Sequence, residues 1–102
     1  MQTRANEVAE RFGKNLVRCR RRARISQEEL GFRADLHRTE IGMLERGIRL
    51  ARIDTLIKLM GALEVSADEL LAGMGWQPIN MVRGSFDVDF DMEANDPGRG
   101  PS

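Results

Sequence analysis

The side chains best suited to binding an anionic polymer are concentrated in the first half of the sequence. Residues 1–52 contain 13 Lys/Arg and 7 Asp/Glu, a balance of +6, whereas residues 53–102 contain 3 and 9, a balance of −6. The net charge of zero therefore conceals a basic half that could neutralise phosphates and an acidic half that could not. A salt-bridged surface with accidental polarity would give the same counts, so charge alone leaves both interpretations open.

Residue types that carry catalysis or hold metals are scarce. His37 is the only histidine and Cys19 the only cysteine, which rules out an intrachain disulfide and argues against a zinc site. The aspartates within 87–91 begin like a calcium loop, but Met92 stands where that loop needs glycine. We therefore expect no enzyme, no metal and no cofactor. His37 is expected to be an exposed helix-start residue rather than a pH sensor, and Cys19 a buried apolar residue rather than a redox sensor.

The length of 102 residues predicts one small hydrophobic core. No apolar run approaches the roughly 20 residues that a membrane-spanning helix needs. The N-terminal residues lack the apolar stretch of a secretory signal. We expect a cytoplasmic, nucleoid-associated protein with no membrane partner.

Five helices are predicted from apolar periodicity and capping signals. The first carries an apolar stripe at spacings of four, three and four. Ser26 and Ser66 each precede a glutamate three residues later, which is the capping-box pattern of a helix start. A tight turn is predicted at Asp35 and a helix stop at Gly47. The predicted helices span 8–24, 27–34, 38–46, 53–63 and 67–71, with Phe12, Leu16, Cys19, Ala23, Leu30, Ile41, Leu44, Ile53, Leu56, Leu59, Met60 and Leu63 facing the core.

After residue 76 the apolar period changes from that of a helix to that of a strand. Apolar residues alternate with aspartates over 86–92, which predicts a strand. Residues 79–82 are the expected partner strand, joined through a turn at 83–85. An isolated hairpin is marginal in water, so this segment must pack on or pair with something. Residues 95–102 are rich in Gly and Pro and are expected to be disordered.

Three motifs stand at a characteristic spacing: Ser-Gln-Glu-Glu-Leu at 26–30, Leu-Glu-Arg-Gly at 44–47 and Val-Ser-Ala-Asp-Glu-Leu at 65–70. With Ile41 between them, this pattern resembles the phage repressor/Cro-like (Xre-type) helix-turn-helix family over about 60 residues, without a gap. The resemblance implies an all-α, five-helix DNA-binding domain over 8–73. A C-terminal extension of possible β character follows at 74–92, and a disordered tail at 93–102.

The resemblance also implies DNA-binding roles. Gln27 would lie against a phosphate, and the third helix would enter the major groove. Arg38, Thr39 and Met43 match base-facing positions, while Arg46 matches a phosphate contact. Arg38 could instead contact phosphate, and Thr39 and Met43 could be ordinary helix surface. With the basic loop added, the expected DNA-contacting set is Gln27, His37, Arg38, Thr39, Gly42, Met43, Arg46, Arg49 and Arg52.

One further pair has an implied structural role. Arg20 and Glu45 match an ion pair that ties the first helix to the end of the third. This pair would position the recognition helix without touching DNA.

Four positions depart from the common pattern of the family. His37 replaces a Ser or Thr N-cap, and Asp35 replaces a Gly or Asn. Arg52 replaces a Ser-like cap and adds charge near DNA, while Glu40 could repel a phosphate or accept from a cytosine amine. These departures leave the operator sequence unpredicted.

Two functions fit this sequence. The first is a homodimeric transcriptional regulator, such as a phage-type repressor or a restriction–modification controller, acting on a pseudo-palindromic operator. The second is an antitoxin or adaptor whose C-terminal segment binds a partner protein. An enzyme has no supporting residues.

One helix-turn-helix covers only half an operator, so two copies must be held together. We predict a twofold dimer made largely by the extension, with help from the fifth helix. In the alternative arrangement, the extension folds back on its own helices and dimerisation uses helices four and five. The predicted interface residues are Trp76, Ile79, Met81, Val82, Phe86, Val88 and Phe90.

Overall fold

The computed structural model describes residues 5–90, and the structural statements below concern that part of the chain. Five helices precede a two-stranded antiparallel sheet, which confirms the predicted fold class. The predicted tail at 93–102 and the strand residue Met92 lie outside the described residues. The elements are α1 (Ala5–Arg22), α2 (Gln27–Ala34), α3 (Arg38–Glu45), α4 (Ile53–Leu63), α5 (Ala67–Leu70), β1 (Met74–Pro78) and β2 (Gly84–Val88).

Helix α1 ends two residues earlier than predicted. Arg24 adopts the left-handed conformation, with φ of 61°, and this ends the helix. Ala23, predicted to face the core, is exposed in the turn that follows α1. The three other apolar positions of the predicted stripe are buried. They meet the inner faces of the remaining helices in a core of Phe12, Leu16, Cys19, Leu30, Ala34, Ile41, Leu44, Leu59, Leu63 and Leu70.

Helix α4 turns the predicted side to the core, except at its first residue. Its buried row is Thr55, Leu59 and Leu63, at a spacing of four. Of the residues predicted to face the core, Leu59 and Leu63 are buried, and Leu56 and Met60 are partly buried and pack against it. Ile53, expected inside, is 76% exposed. The predicted apolar stripe of α4 is therefore confirmed at four positions and wrong at Ile53.

The hairpin forms with a different partner strand than predicted. Residues 74–78, not 79–82, pair with residues 84–88, and Trp76 lies opposite Phe86. These two rings make an edge-to-face contact with centroids 5.1 Å apart. Residues 79–83 form the connecting loop, which a hydrogen bond from the Ile79 N–H to the Arg83 carbonyl closes at 2.8 Å. The aromatic cross-strand pair fixes this register, and apolar alternation alone could not have revealed it.

The hairpin is attached to α1 of its own chain through buried polar groups. Arg11 is fully buried and donates to the Asp89 carbonyl at 3.4 Å and, through Nε, to the Asn15 side chain at 3.0 Å. The Asp89 N–H donates to the Gly73 carbonyl at 2.7 Å. The extension therefore folds back on its own helices, as in the alternative stated above.

Leu44→Ala should lower the free energy of unfolding by about 2–5 kcal/mol, because Leu44 is 1% exposed and its removal leaves a cavity. Urea unfolding followed by circular dichroism measures this change. The control is Phe32→Ala, which removes a larger side chain that is 84% exposed and should change stability by no more than about 0.5 kcal/mol. Equal losses in the two variants would contradict the assigned core.

Candidate nucleic-acid interface

A tight turn joins α2 to α3 and sets the angle between them. Asp35 adopts the predicted left-handed conformation, with φ of 54°, and the Leu36 N–H donates to the Gly31 carbonyl at 2.8 Å. A Cβ atom at position 31 would lie 2.5 Å from the Leu36 carbonyl oxygen. The turn can therefore close at this distance only because residue 31 is glycine.

The start of α3 presents its side chains to solvent. His37 caps the helix, since its Nδ1 accepts from the Thr39 N–H at 3.0 Å. His37, Arg38 and Thr39 are exposed, and Met43, one turn after Thr39, is half-buried. The first turn of α3 thus offers a guanidinium and a hydroxyl at one surface, with a thioether partly accessible one turn further on.

Gln27 and Arg46 lie on either side of the middle of α3. Gly42 is buried between them: a Cβ added there would be 3.5 Å from Arg46 Nη1 and 3.8 Å from Gln27 Oε1. Gly42 was expected among the DNA-contacting residues, but in the free chain it lies beneath this face. At these distances a Cβ atom would make only ordinary van der Waals contacts with the two polar groups.

An ion pair joins the ends of α1 and α3. Arg20 Nε and Nη2 donate to the two carboxylate oxygens of Glu45 at 2.6 and 3.0 Å, and Nη1 donates to the Ile25 carbonyl at 2.9 Å. The side chains are 14% and 5% exposed. Gln27 Nε2 donates to the same carboxylate at 2.9 Å. This cluster holds α1, the start of α2 and the end of α3 at fixed positions.

The basic loop between α3 and α4 lies beside this face. Gly47 ends α3 with φ of +72°, and the Ile48 N–H donates to the Met43 carbonyl at 3.0 Å. Arg49 and Arg52 in the loop are exposed. Together with Arg38 and Arg46 they place four guanidinium groups on α3 and the loop that follows it.

Other chemistry finds little support in residues 5–90. No group of three or more His, Cys, Asp or Glu residues in this range is placed to hold a metal ion. Burial raises the pKa of the Cys19 thiol, although Arg18 and Arg22 partly oppose the rise. The helices described here are too short or too polar for any of them to cross a membrane.

A helix-turn-helix whose second helix begins with an exposed arginine and is followed by a basic loop has the form of a DNA-binding domain. The sequence matches the Helix-turn-helix family HTH_3 over residues 16–70. The chain therefore belongs to the helix-turn-helix family of DNA-binding transcription regulators.

Two curated relatives are similar to this chain. It is 39% identical over 67 residues to the control protein C.BamHI of Bacillus amyloliquefaciens, covering 65% of this chain and 83% of that protein. It is 38% identical over 69 residues to the control protein C.SmaI of Serratia marcescens, covering 68% and 82%.

Two solved structures share the fold. The restriction-modification controller protein C.AhdI of Aeromonas hydrophila superposes with a TM-score of 0.64 at 32% identity, covering 67% of this chain and 99% of that one. A mutant of the restriction-modification controller protein C.Esp1396I gives 0.58 at 28% identity, covering 62% and 82%. About a third of this chain thus has no counterpart in C.AhdI, and the family match ends before β1.

Sequence reasoning missed two glycines that position the site. Gly31 lets the turn close, and Gly13 lets α1 approach the end of α3: a Cβ there would lie 2.5 Å from the Leu44 and Glu45 carbonyl oxygens. A signal was available, because glycine inside a helix costs about 1 kcal/mol and so indicates a close backbone approach. Neither glycine contributes a side chain to the exposed face, but each fixes a distance between helices.

Arg20→Ala should lower the free energy of unfolding by about 3–5 kcal/mol, because it leaves the buried carboxylate of Glu45 without its charged partner. DNA affinity should fall as well, since α3 loses its attachment to α1. Thermal unfolding and a gel-shift assay measure the two effects. The control is Arg21→Ala, an exposed neighbour in the same helix, and a melting temperature no lower for Arg20→Ala than for this control would refute the role of the pair.

Proposed function

We propose that this chain is a transcription regulator of the restriction–modification controller type. In this proposal it acts as a homodimer, and each copy reads half of a pseudo-palindromic operator through the recognition helix 38–46. The observation that carries the proposal is the exposed first turn of α3, with Arg38 and Thr39 pointing outward beside the start of α2. We further propose that the protein acts without catalysis, on the nucleoid in the cytoplasm.

The residues of this face suit the two parts of DNA recognition. Arg38 can donate two hydrogen bonds to guanine, and Thr39 can offer its methyl to thymine or its hydroxyl to a base. Met43 would make apolar contact. Gln27, Arg46, Arg49 and Arg52 would contact phosphates, which sets the position of the helix without reading sequence.

A second copy is required because one recognition helix covers half a site. In an operator of this kind the two helices lie roughly 34 Å apart, one turn of the DNA. We propose that the hairpin forms much of the dimer interface. Phe86, Val88 and Phe90 are half-buried within the chain, so the side chains available to a second copy are chiefly Trp76, Ile79, Met81 and Val82, which are 55%, 61%, 102% and 89% exposed.

Arg38→Ala should relax base preference at one position in each half-site and weaken operator binding by about 1–3 kcal/mol. Gln27→Ala should weaken all duplexes alike, because a phosphate contact carries no sequence information. A competition gel-shift assay with an operator selected from random duplexes distinguishes these effects. Arg33→Ala, an exposed arginine in α2, is the control, and an Arg38→Ala variant with unchanged affinity and preference would show that α3 is not the reading helix.

The double variant Met81→Glu/Val82→Glu should weaken dimerisation at least tenfold, about 1.4 kcal/mol, because it places charges in the proposed apolar interface. Ile53→Glu/Ile57→Glu tests the alternative interface on α4, where both side chains are exposed. Analytical ultracentrifugation measures both. Point variants are preferable to removal of the hairpin, which would strip Arg11 of its Asp89 acceptor.

Dissociation only in the α4 variant would contradict the hairpin interface. A hairpin variant that stays dimeric but loses a co-purifying protein would instead favour the antitoxin or adaptor function. Circular dichroism checks that both variants keep their helices.

A further inference from the structure

Three arginines of the proposed DNA-binding face each have a carboxylate partner on the same face. Arg38 Nη1 lies 3.3 Å from Glu28 Oε2. Arg52 Nε lies 3.4 Å from Asp54 Oδ1, and Arg49 Nη1 lies 4.0 Å from Glu40 Oε1. In the free chain, therefore, part of the positive charge that would meet phosphates is compensated by the protein itself.

The pair between Arg38 and Glu28 has the most direct bearing on DNA binding. Glu28 is the second residue of α2, directly after Gln27, and Arg38 is the first residue of α3. Their side chains are 77% and 67% exposed, so the pair stands at the surface. A guanine edge or a phosphate that binds Arg38 through Nη1 would replace a carboxylate that already accepts from that nitrogen.

We propose that Glu28 is an affinity-determining residue of the DNA-binding face, acting as an intramolecular competitor for Arg38. The proposal rests on the proposed function above. Glu28 positions no atom of the DNA; it occupies the guanidinium in the free protein and releases it when the operator binds. The two glutamates of the first turn of α2 thereby differ in role, since Glu29 pairs with Arg33 instead.

Arg38 exchanges Glu28 for DNA only where the DNA contact is stronger than the ion pair. An exposed ion pair changes an equilibrium constant by at most about fivefold. A bidentate contact to the correct base is worth roughly 5- to 150-fold, so the operator can draw Arg38 away. A single phosphate contact has a strength comparable to that of the ion pair, so on other DNA Arg38 can stay with Glu28.

This exchange predicts whether removal of the Glu28 carboxylate raises or lowers the affinity for operator DNA and for other DNA. Without the carboxylate, operator binding no longer breaks an ion pair and no longer leaves a free negative charge beside phosphates. Binding to other DNA gains only the phosphate contact that Arg38 could not make before. Removal of Glu28 should therefore strengthen both complexes, and the operator complex at least as much.

The test compares Glu28→Gln with Glu29→Gln, which removes the same charge from the next residue of the same helix turn. Fluorescence anisotropy would measure the Kd of a duplex selected by the wild-type chain and of a scrambled duplex, over a range of salt concentrations. Glu28→Gln should tighten operator binding about two- to fivefold more than Glu29→Gln does. Its plot of log K against log salt should steepen by up to about 0.9, the contribution of one phosphate.

A second comparison separates the ion pair from the general field of the charge. In an Arg38→Ala background the excess gain of Glu28→Gln should shrink, because no guanidinium remains to be released. Thermal unfolding of each variant checks that the fold is intact.

The outcomes distinguish this proposal from the proposed function. Equal shifts for the two glutamine variants would mean that net charge alone acts, and weaker binding by Glu28→Gln would mean that the carboxylate positions Arg38 for DNA. Either result overturns the competitor role while leaving operator binding in place. A wild-type chain that selects no duplex would overturn the proposed function, and this proposal with it.

Discussion

The carboxylate of Glu45 is the point at which the DNA-binding half of the molecule is held together. It accepts two hydrogen bonds from Arg20 and one from Gln27, so the end of α1, the start of α2 and the end of α3 meet at one side chain. A helix of eight residues such as α3 is not stable alone in water. Its position is therefore set by its attachments, and these bury a charge that Arg20 compensates by direct contact.

A second set of buried polar groups performs the same task further back along α1. Asn15 donates to the Leu70 and Ala72 carbonyls, both at 2.9 Å, and accepts from Arg11 and Arg18. In residues 5–90 no buried side-chain nitrogen or oxygen is left without a partner. Because matched polar groups of this kind favour one arrangement, α1 holds α5 and the hairpin in place as well as the recognition helix.

Features that depend on neighbours in sequence could be predicted, and features that depend on distant pairing could not. The capping signals at Ser26 and Ser66 and the turn at Asp35 act over three or four residues, and each was found where the sequence indicated. The predicted partner strand, 79–82, was wrong, because residues 74–78 pair with residues 84–88. Period-two alternation indicates which face of a strand is apolar but not which segment lies opposite.

The residues of the DNA-binding face show the same difference between local features, which could be predicted, and distant contacts, which could not. The exposed start of α3 follows from local signals, whereas Arg20 and Glu45, 25 residues apart, were paired only through the resemblance. The contact between Glu28 and Arg38 could not be predicted from the sequence, because it depends on the angle that the turn sets between α2 and α3. The exposed position of Ile53 at the start of α4 has a similar cause, as burial depends on which helices pack against a residue.

The cap of the recognition helix carries a chemical condition of its own. Nδ1 of His37 can accept from the Thr39 N–H only while that nitrogen bears no proton. A serine or threonine hydroxyl at this position would cap the helix without this condition. The order of the first turn of α3, where the side chains proposed to read bases begin, thus depends on which ring nitrogen of His37 carries the hydrogen.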